Sequence, residues 1–270
     1  MIRFTKYHGC GNNFIIVRET DVLKRDYSLL ARSICSVPTG IGADGLIIVR
    51  ENPELEMVFY NMDGSRASMC GNGIRCFAAY CYDSGICRES EYPVKTLAGT
   101  MMVTLVNEDP FTVRINMGKP SFRSVDFGVF NGSETFLEQT IETSEGSFTV
   151  SSCLMGVVHT VVWVDEFPSE EAAVQLSTAP VFTENSNVNF VKVIDRNNVE
   201  IKTYERGVGF TCACGTGACA TLVIGTKENR TADKITVRLP YGELLISQLP
   251  SGDVLMAGPA VKSAEGLYCC

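Results

Sequence analysis

Cys70-Gly71-Asn72-Gly73-Ile74-Arg75-Cys76 and, later in the chain, Cys214-Gly215-Thr216-Gly217-Ala218-Cys219 decide how this sequence is read. Each sets a cysteine directly before a Gly-x-Gly turn. Each turn opens into a small and apolar run, Phe77-Ala78-Ala79-Tyr80-Cys81 in the first and Ala220-Thr221-Leu222-Val223-Ile224 in the second. Such runs suit a buried helix, and the glycines before them suit a tight entry. A cysteine at a helix N-terminus sits among free backbone N–H groups and partial positive charge, which favour a thiolate and a bound anion. Two copies of the arrangement point to a two-sided active site.

Outward from these turns the chain repeats itself. Tyr60 precedes Cys70 at the spacing by which Tyr204 precedes Cys214. The apolar run Leu46-Ile47-Ile48-Val49 has its counterpart in Phe190-Val191-Lys192-Val193, and Gly99 in Gly242. Gly11-Asn12-Asn13-Phe14 corresponds more loosely to Gly156-Val157-Val158-His159. Strands are expected at the N-terminus on both sides of the Gly9 to Asn13 turn, over 46–50, 56–60 and 160–164, and in a hairpin around Ala98-Gly99. Helices are expected over 27–35 and from each glycine turn onward. A constant offset over this length predicts two duplicated lobes. Strand-rich lobes with one main buried helix each predict an α+β fold in which each sheet wraps a helix. The boundary is expected near Gly118, giving lobes 1–118 and 119–270, with the last residues packing back on the first lobe. Matching turns in related lobes would place Cys70 opposite Cys214.

Composition bounds the rest. In 270 residues, 45% are hydrophobic and 20% charged, as in a globular protein, and no apolar run reaches the ~18 residues of a membrane span. The N-terminus lacks the apolar segment of a signal peptide, so a cytoplasmic location is expected. A net charge of −8 argues against nucleic acid or an anionic membrane as partner. The twelve cysteines fall short of the roughly 8–10% typical of disulfide scaffolds, so reduced thiols are expected. Cys35, Cys81, Cys153 and Cys219 read as small buried hydrophobes. There is no C-x-x-C pair, and His8 and His159 are the only histidines, so no metal site is expected.

Two facing thiols suit removal of a proton from one face of a carbon and delivery to the other, one as thiolate base and one as thiol acid. The turns 71–73 and 215–217 would hold a carboxylate between two helix N-termini. That contact strengthens as the carbon becomes carbanion-like. The same turns could serve packing alone, or the two cysteines could form a redox disulfide.

The run from Asn61 to Cys76 resembles the signature of diaminopimelate epimerases, and Glu205-Arg206-Gly207-Val208-Gly209 with Ala213 to Ala220 resembles that family's second cysteine segment. Gly11-Asn12, the stretch Thr39 to Gly45 and Asn187-Val188-Asn189-Phe190 are similar as well. The resemblance implies a cofactor-independent epimerase on two pseudo-symmetric lobes, each a curled β-sheet around a central helix. It implies Cys70 and Cys214 as acid/base groups. The α-carboxylate would lie on the backbone of Gly71, Asn72, Gly215 and Thr216. Asn12 and Glu205 would lie near the ammonium, and Asn61, Asn187 and Arg206 at the distal carboxylate, where a planar guanidinium pairs bidentately. His159 matches a histidine that could polarise a catalytic thiol; a structural histidine is the alternative.

Departures from the family pattern fall at Asn13, Val157, Val158 and Phe210. They leave open a racemase for another amino acid, such as histidine or lysine. A non-catalytic amino-acid-binding or redox-sensing relative is the third reading. A small-molecule amino acid is the expected partner, with a homodimer left open. No Schiff-base lysine is marked, so no cofactor is expected, and no role is assigned to Cys269 and Cys270.

Overall fold

In the computed structural model, residues 1–130 and 132–269 are described; Cys270 lies outside them. The chain divides into two compact units, one formed by Met1–Ile115 with the segment from Ala257 onward, the other by Asn116–Met256.

The first unit contains β1 (Ile2–Gly9), β2 (Asn12–Arg18), α1 (Glu19–Val22), α2 (Tyr27–Ile34), β3 (Gly45–Arg50), β4 (Glu56–Asn61), β5 (Arg66–Ala67), α3 (Gly71–Asp83), β6 (Glu91–Thr96), β7 (Gly99–Glu108) and β8 (Phe111–Asn116). β1 and β2 form an antiparallel hairpin, β2 runs parallel to β3, and β3 is antiparallel to β4. β4 then meets β5 antiparallel and β6 parallel, and β6, β7 and β8 continue as a meander.

Leu46, Ile47, Ile48 and Val49 are all 0% exposed. A strand reads as an unbroken apolar run when both faces are covered, and two helices cover this one. Leu46 and Ile48 join Leu30, Ala31 and Ile34 of α2 in one cluster. On the other face, Ile47 and Phe14 approach Gly73 of α3. α3 is buried from Gly71 through Cys81, with Arg75 as the charged residue among them. Asp26 caps α2 by accepting from the Leu29 N–H at 3.1 Å.

The second unit contains β9 (Gln139–Thr143), β10 (Gly146–Met155), β11 (Val157–Trp163), α4 (Glu170–Ser177), β12 (Asn187–Asp195), β13 (Asn198–Glu205), β14 (Gly209–Thr211), α5 (Gly215–Lys227), β15 (Lys234–Leu239) and β16 (Gly242–Gln248). β9 and β10 pair antiparallel, β10 is antiparallel to β11, β11 parallel to β12, and β12 antiparallel to β13. β13 meets β14 antiparallel and β15 parallel, and β15 pairs antiparallel with β16. The order of pairings from β1 through β7 thus recurs from β10 through β16.

β12 shows why its sequence alternates as it does. Val188 and Phe190 join Ala173 and Leu176 of α4 in the core, while Asn189, between them, lies against Gly217 of α5. The polar residue of this strand therefore faces the helix that begins at Cys214. After β17 (Val254–Pro259), β18 (Val261–Tyr268) returns to the first unit and pairs antiparallel with β1, Ile2 opposite Tyr268.

Both glycine-turn helices start at the expected place, directly after the cysteine. Cys35, Cys81, Cys153 and Cys219 are all buried. Among the described residues no helix is long and apolar enough to cross a membrane.

Candidate active site

Cys70 is the N-cap of α3, and its sulfur accepts from the Gly73 N–H at 3.4 Å. It also lies 3.8 Å from Oδ1 of Asn12, to which a thiol donates. Asn12 is oriented from its other end. Its Nδ2 donates to Oδ2 of Asp44 at 2.7 Å, and the same carboxylate oxygen accepts from the backbone N–H and Nδ2 of Asn13. A carboxylate only accepts, so Asn12 must turn its carbonyl oxygen towards Cys70. Nδ2 of Asn72 reaches that oxygen at 3.1 Å.

Asn72 is fixed in turn by Arg75, whose Nη1 donates to its Oδ1 at 2.9 Å and to the Gly71 carbonyl at 3.1 Å. Arg75 is 0% exposed and also donates from Nε to the Pro259 carbonyl. Gly9 gives it room, because a Cβ there would lie 2.7 Å from Nη2 and the guanidinium would have to shift. The first unit therefore presents a continuous polar line from Arg75 through Asn72 and Asn12 to Asp44, with Cys70 on its middle. Asn61, at the end of β4, donates from Nδ2 to Oγ of Ser65 at 2.9 Å, and Asp63 accepts from the Ser65 N–H. That turn fixes Asn61 locally.

In the second unit, Cys214 is the N-cap of α5 and is 6% exposed. Its sulfur lies 3.5 Å from Oγ1 of Thr216, and that hydroxyl lies 2.9 Å from Nε2 of His159. His159 is 0% exposed. Burial, reinforced by the nearby Arg206 charge, pushes its pKa down to about 3, so the ring is neutral at physiological pH. Behind it stands Asn189, whose Nδ2 reaches Nδ1 of His159 at 3.2 Å and the Thr160 carbonyl at 3.1 Å. Thr203 Oγ1 donates to Oδ1 of Asn189 at 3.0 Å. A Cβ at Gly217 would overlap Asn189 Oδ1, so only glycine lets α5 approach β12 here.

Asn187 and Arg206 are joined through the Arg206 N–H, which donates to Asn187 Oδ1 at 3.0 Å. The Arg206 guanidinium donates from Nη1 to the carbonyls of Glu184 and Asn185, which pins the side chain in a fixed pose. Glu205 accepts from the Thr211 hydroxyl at 2.6 Å. Phe210 packs edge-on against Tyr204 and beside Phe190, with the Lys202 ammonium over its ring at 3.9 Å. That makes Phe210 a core-facing residue of the strand pair. Val157 is 37% exposed.

Of the residues expected from sequence, Asn12, Cys70, Gly71 and Asn72 come together around the start of α3. His159, Asn187, Glu205, Arg206, Cys214, Gly215 and Thr216 gather around the start of α5 and the adjoining ends of β11, β12 and β13. Sequence reasoning gave no role to Asp44, Arg75 or Asn189. An arginine inside an otherwise apolar helix and an asparagine inside an apolar strand were the available signals, since a buried polar group must find partners.

A family model described as diaminopimelate epimerase matches residues 4–123 and 151–263. The chain is 36% identical to the diaminopimelate epimerase of Alkaliphilus metalliredigens, over 99% of this chain and 97% of that protein. It is 38% identical to the diaminopimelate epimerase of Clostridium perfringens, over 99% of each. Among solved structures, a PhzF-family phenazine biosynthesis protein of Bacillus anthracis aligns at a TM-score of 0.70 and 15% identity, covering 100% of this chain and 99% of that one. A probable proline racemase from Agrobacterium radiobacter aligns at 0.69 and 15% identity, over 99% of this chain and 92% of that one. Those two likenesses speak to the fold, which is mixed α+β with extensive sheet and few helices. The sequence matches run nearly end to end and through both cysteine turns, and on that ground the chain belongs to the diaminopimelate epimerase family.

Proposed function

We propose that this protein interconverts LL- and meso-diaminopimelate without a cofactor, Cys70 and Cys214 serving as the acid/base pair. The observation that carries the proposal is the placement of a cysteine at the N-cap of each main buried helix, each sulfur beside oriented polar groups. One thiolate takes the α-proton while the other thiol supplies a proton to the opposite face; the states then exchange. The proposal requires both sulfurs to reach one α-carbon. The recurring order of pairings supports reading the chain as two pseudo-symmetric lobes, 1–118 and 119–270, with the final strand joining the first.

The backbone N–H groups of Gly71, Asn72, Gly215 and Thr216 would hold the α-carboxylate, where two helix dipoles favour its growing charge in the transition state. Asn12 and Glu205 would take the ammonium. Arg206, held by the Glu184 and Asn185 carbonyls, would meet the distal carboxylate with Asn187 and Asn61.

Val157 favours a second reading, a racemase for another amino acid by the same chemistry, because the chain departs from the family pattern there and the side chain is exposed. Phe210 gives it less support, since its ring is engaged with Tyr204 and Phe190. Exchange of the α-proton in deuterated buffer, followed by NMR under reducing conditions, tests both. Exchange on diaminopimelate far above that on L-histidine, L-lysine, L-ornithine and L-glutamate supports the first reading. Preference for a monocarboxylic amino acid establishes the second, and no exchange on any removes both.

A further inference from the structure

We infer that Asn189 is a positioning residue that holds His159 in its Nε2–H tautomer, so that His159 serves Cys214 as a hydrogen-bond donor relayed through Thr216 and not as a proton acceptor. The inference rests on the two-thiol reading above and deepens it.

The direction of every bond in the line follows from its far end. A backbone carbonyl can only accept, so the group of Asn189 facing Thr160 must be the amide nitrogen. Thr203, donating to Oδ1, agrees with that orientation. The second hydrogen of the same Nδ2 points at Nδ1 of His159, which must then offer its lone pair. A neutral imidazole with a lone pair on Nδ1 carries its hydrogen on Nε2. Nε2 faces Oγ1 of Thr216, so the hydroxyl oxygen accepts from the ring and its own hydrogen is free to turn towards Cys214 Sγ, its other described partner.

The charged group acting on the ring is Arg206, the residue after β13. Arg206 opposes a positive charge on the ring, as burial does. Protonation of His159 is disfavoured twice over, and the ring stays a neutral donor while Cys214 cycles between thiol and thiolate. The relay stabilises the thiolate form of Cys214 by offering it a hydroxyl donor. Cys70 is served differently, since Asn12 offers it an acceptor.

The chain has two histidines, so nitrogen-15 NMR of the imidazole rings reads the tautomer directly, with a His8→Asn variant assigning the signals. The expected spectrum has an imine-type Nδ1 and a protonated Nε2 for His159, and Asn189→Ala averages the two nitrogens. An Nδ1–H ring in the native protein, or an unchanged ring in Asn189→Ala, overturns the inference. The relay is read by mapping iodoacetamide modification of Cys214 against pH. Thr216→Val raises its apparent midpoint by about one pH unit, a tenfold loss of thiolate at fixed pH, and Thr216→Ser restores it. An unchanged midpoint in Thr216→Val overturns the relay. Should Asn189→Ala not fold, the native spectrum and the Thr216 pair still decide. Neither readout needs turnover. Deuterium exchange on the same samples therefore separates failure of this inference from failure of the proposed function.

Discussion

Arg75 donates from Nη1 to Oδ1 of Asn72 at 2.9 Å, which places a fully buried guanidinium directly behind the amide that reaches Asn12. The arginine thus supports the structure and sets the Cys70 environment through the same bonds. Arg75→Met leaves Asn72 Oδ1 and the carbonyls of Gly71 and Pro259 without this donor, at about 1–3 kcal/mol for each group left unsatisfied. Urea unfolding is expected to show a loss of that order, and deuterium exchange a fall in turnover beyond the loss of folded protein. Arg75→Lys recovers part of the stability and less of the activity, because an ammonium cannot reproduce the planar fork.

Cys70→Ser and Cys214→Ala separate catalysis from folding. Serine at an N-cap holds the Gly73 N–H at least as well as sulfur. Its hydroxyl, however, is far too weak an acid to serve as the base. Cys70→Ser is expected to unfold at the native urea concentration and to lose on the order of 10²–10⁴ in epimerisation rate. Cys214→Ala loses activity to a similar extent. Near-native turnover in either removes the two-thiol mechanism.

Acid stability follows from His159. Its folded-state pKa is depressed to about 3 by burial and by Arg206, whereas an unfolded histidine titrates near ~6.5. Between those values the unfolded chain binds a proton that the folded chain does not, so stability rises with pH there. The contribution is complete above roughly pH 6.5 and is lost as the pH falls towards 3. His159→Gln is expected to flatten the curve of unfolding free energy against pH in that window relative to the native protein. Parallel curves for the two proteins would mean that the ring titrates normally.

Arg206→Met probes the distal end of the substrate. Its pinned guanidinium suits a second carboxylate, so the variant is expected to lose tenfold to a hundredfold in kcat/KM on diaminopimelate, or about 1.4–2.7 kcal/mol. Monocarboxylic amino acids would show no comparable loss. Val157→Asn is expected to improve kcat/KM on diaminopimelate if the valine marks a weakened distal site; no change would make it a tolerated replacement.

The two cysteine helices were legible because cysteine, glycine and a small apolar run carry their meaning within a dozen residues. The β6–β7 hairpin was legible for the same reason. α4 was missed although its start was written plainly: Ser169 caps it by accepting from the Ala172 N–H, and Glu170 and Glu171 follow in the first turn. β18 offered little to read, since most of its residues are exposed and its partner β1 lies at the opposite end of the chain.

Asn189 was hidden for a different reason. Its role depends on register, which sets it opposite Thr203 and within reach of His159 from the parallel neighbour strand. No local pattern encodes a parallel pairing. The residues that touch substrate in the proposed mechanism sit in short motifs, while those that orient them are gathered from across each sheet.

The antiparallel pairing of β1 with β18 makes the first unit a product of both ends of the chain, whereas the second is drawn from one uninterrupted stretch. During synthesis, the whole of Asn116–Met256 emerges before the strand that pairs with β1 exists. The later unit can therefore mature first, with β1 exposing a bare strand edge until β18 arrives. On the ribosome, the half bearing Cys70 is completed only after the half bearing Cys214 has been made.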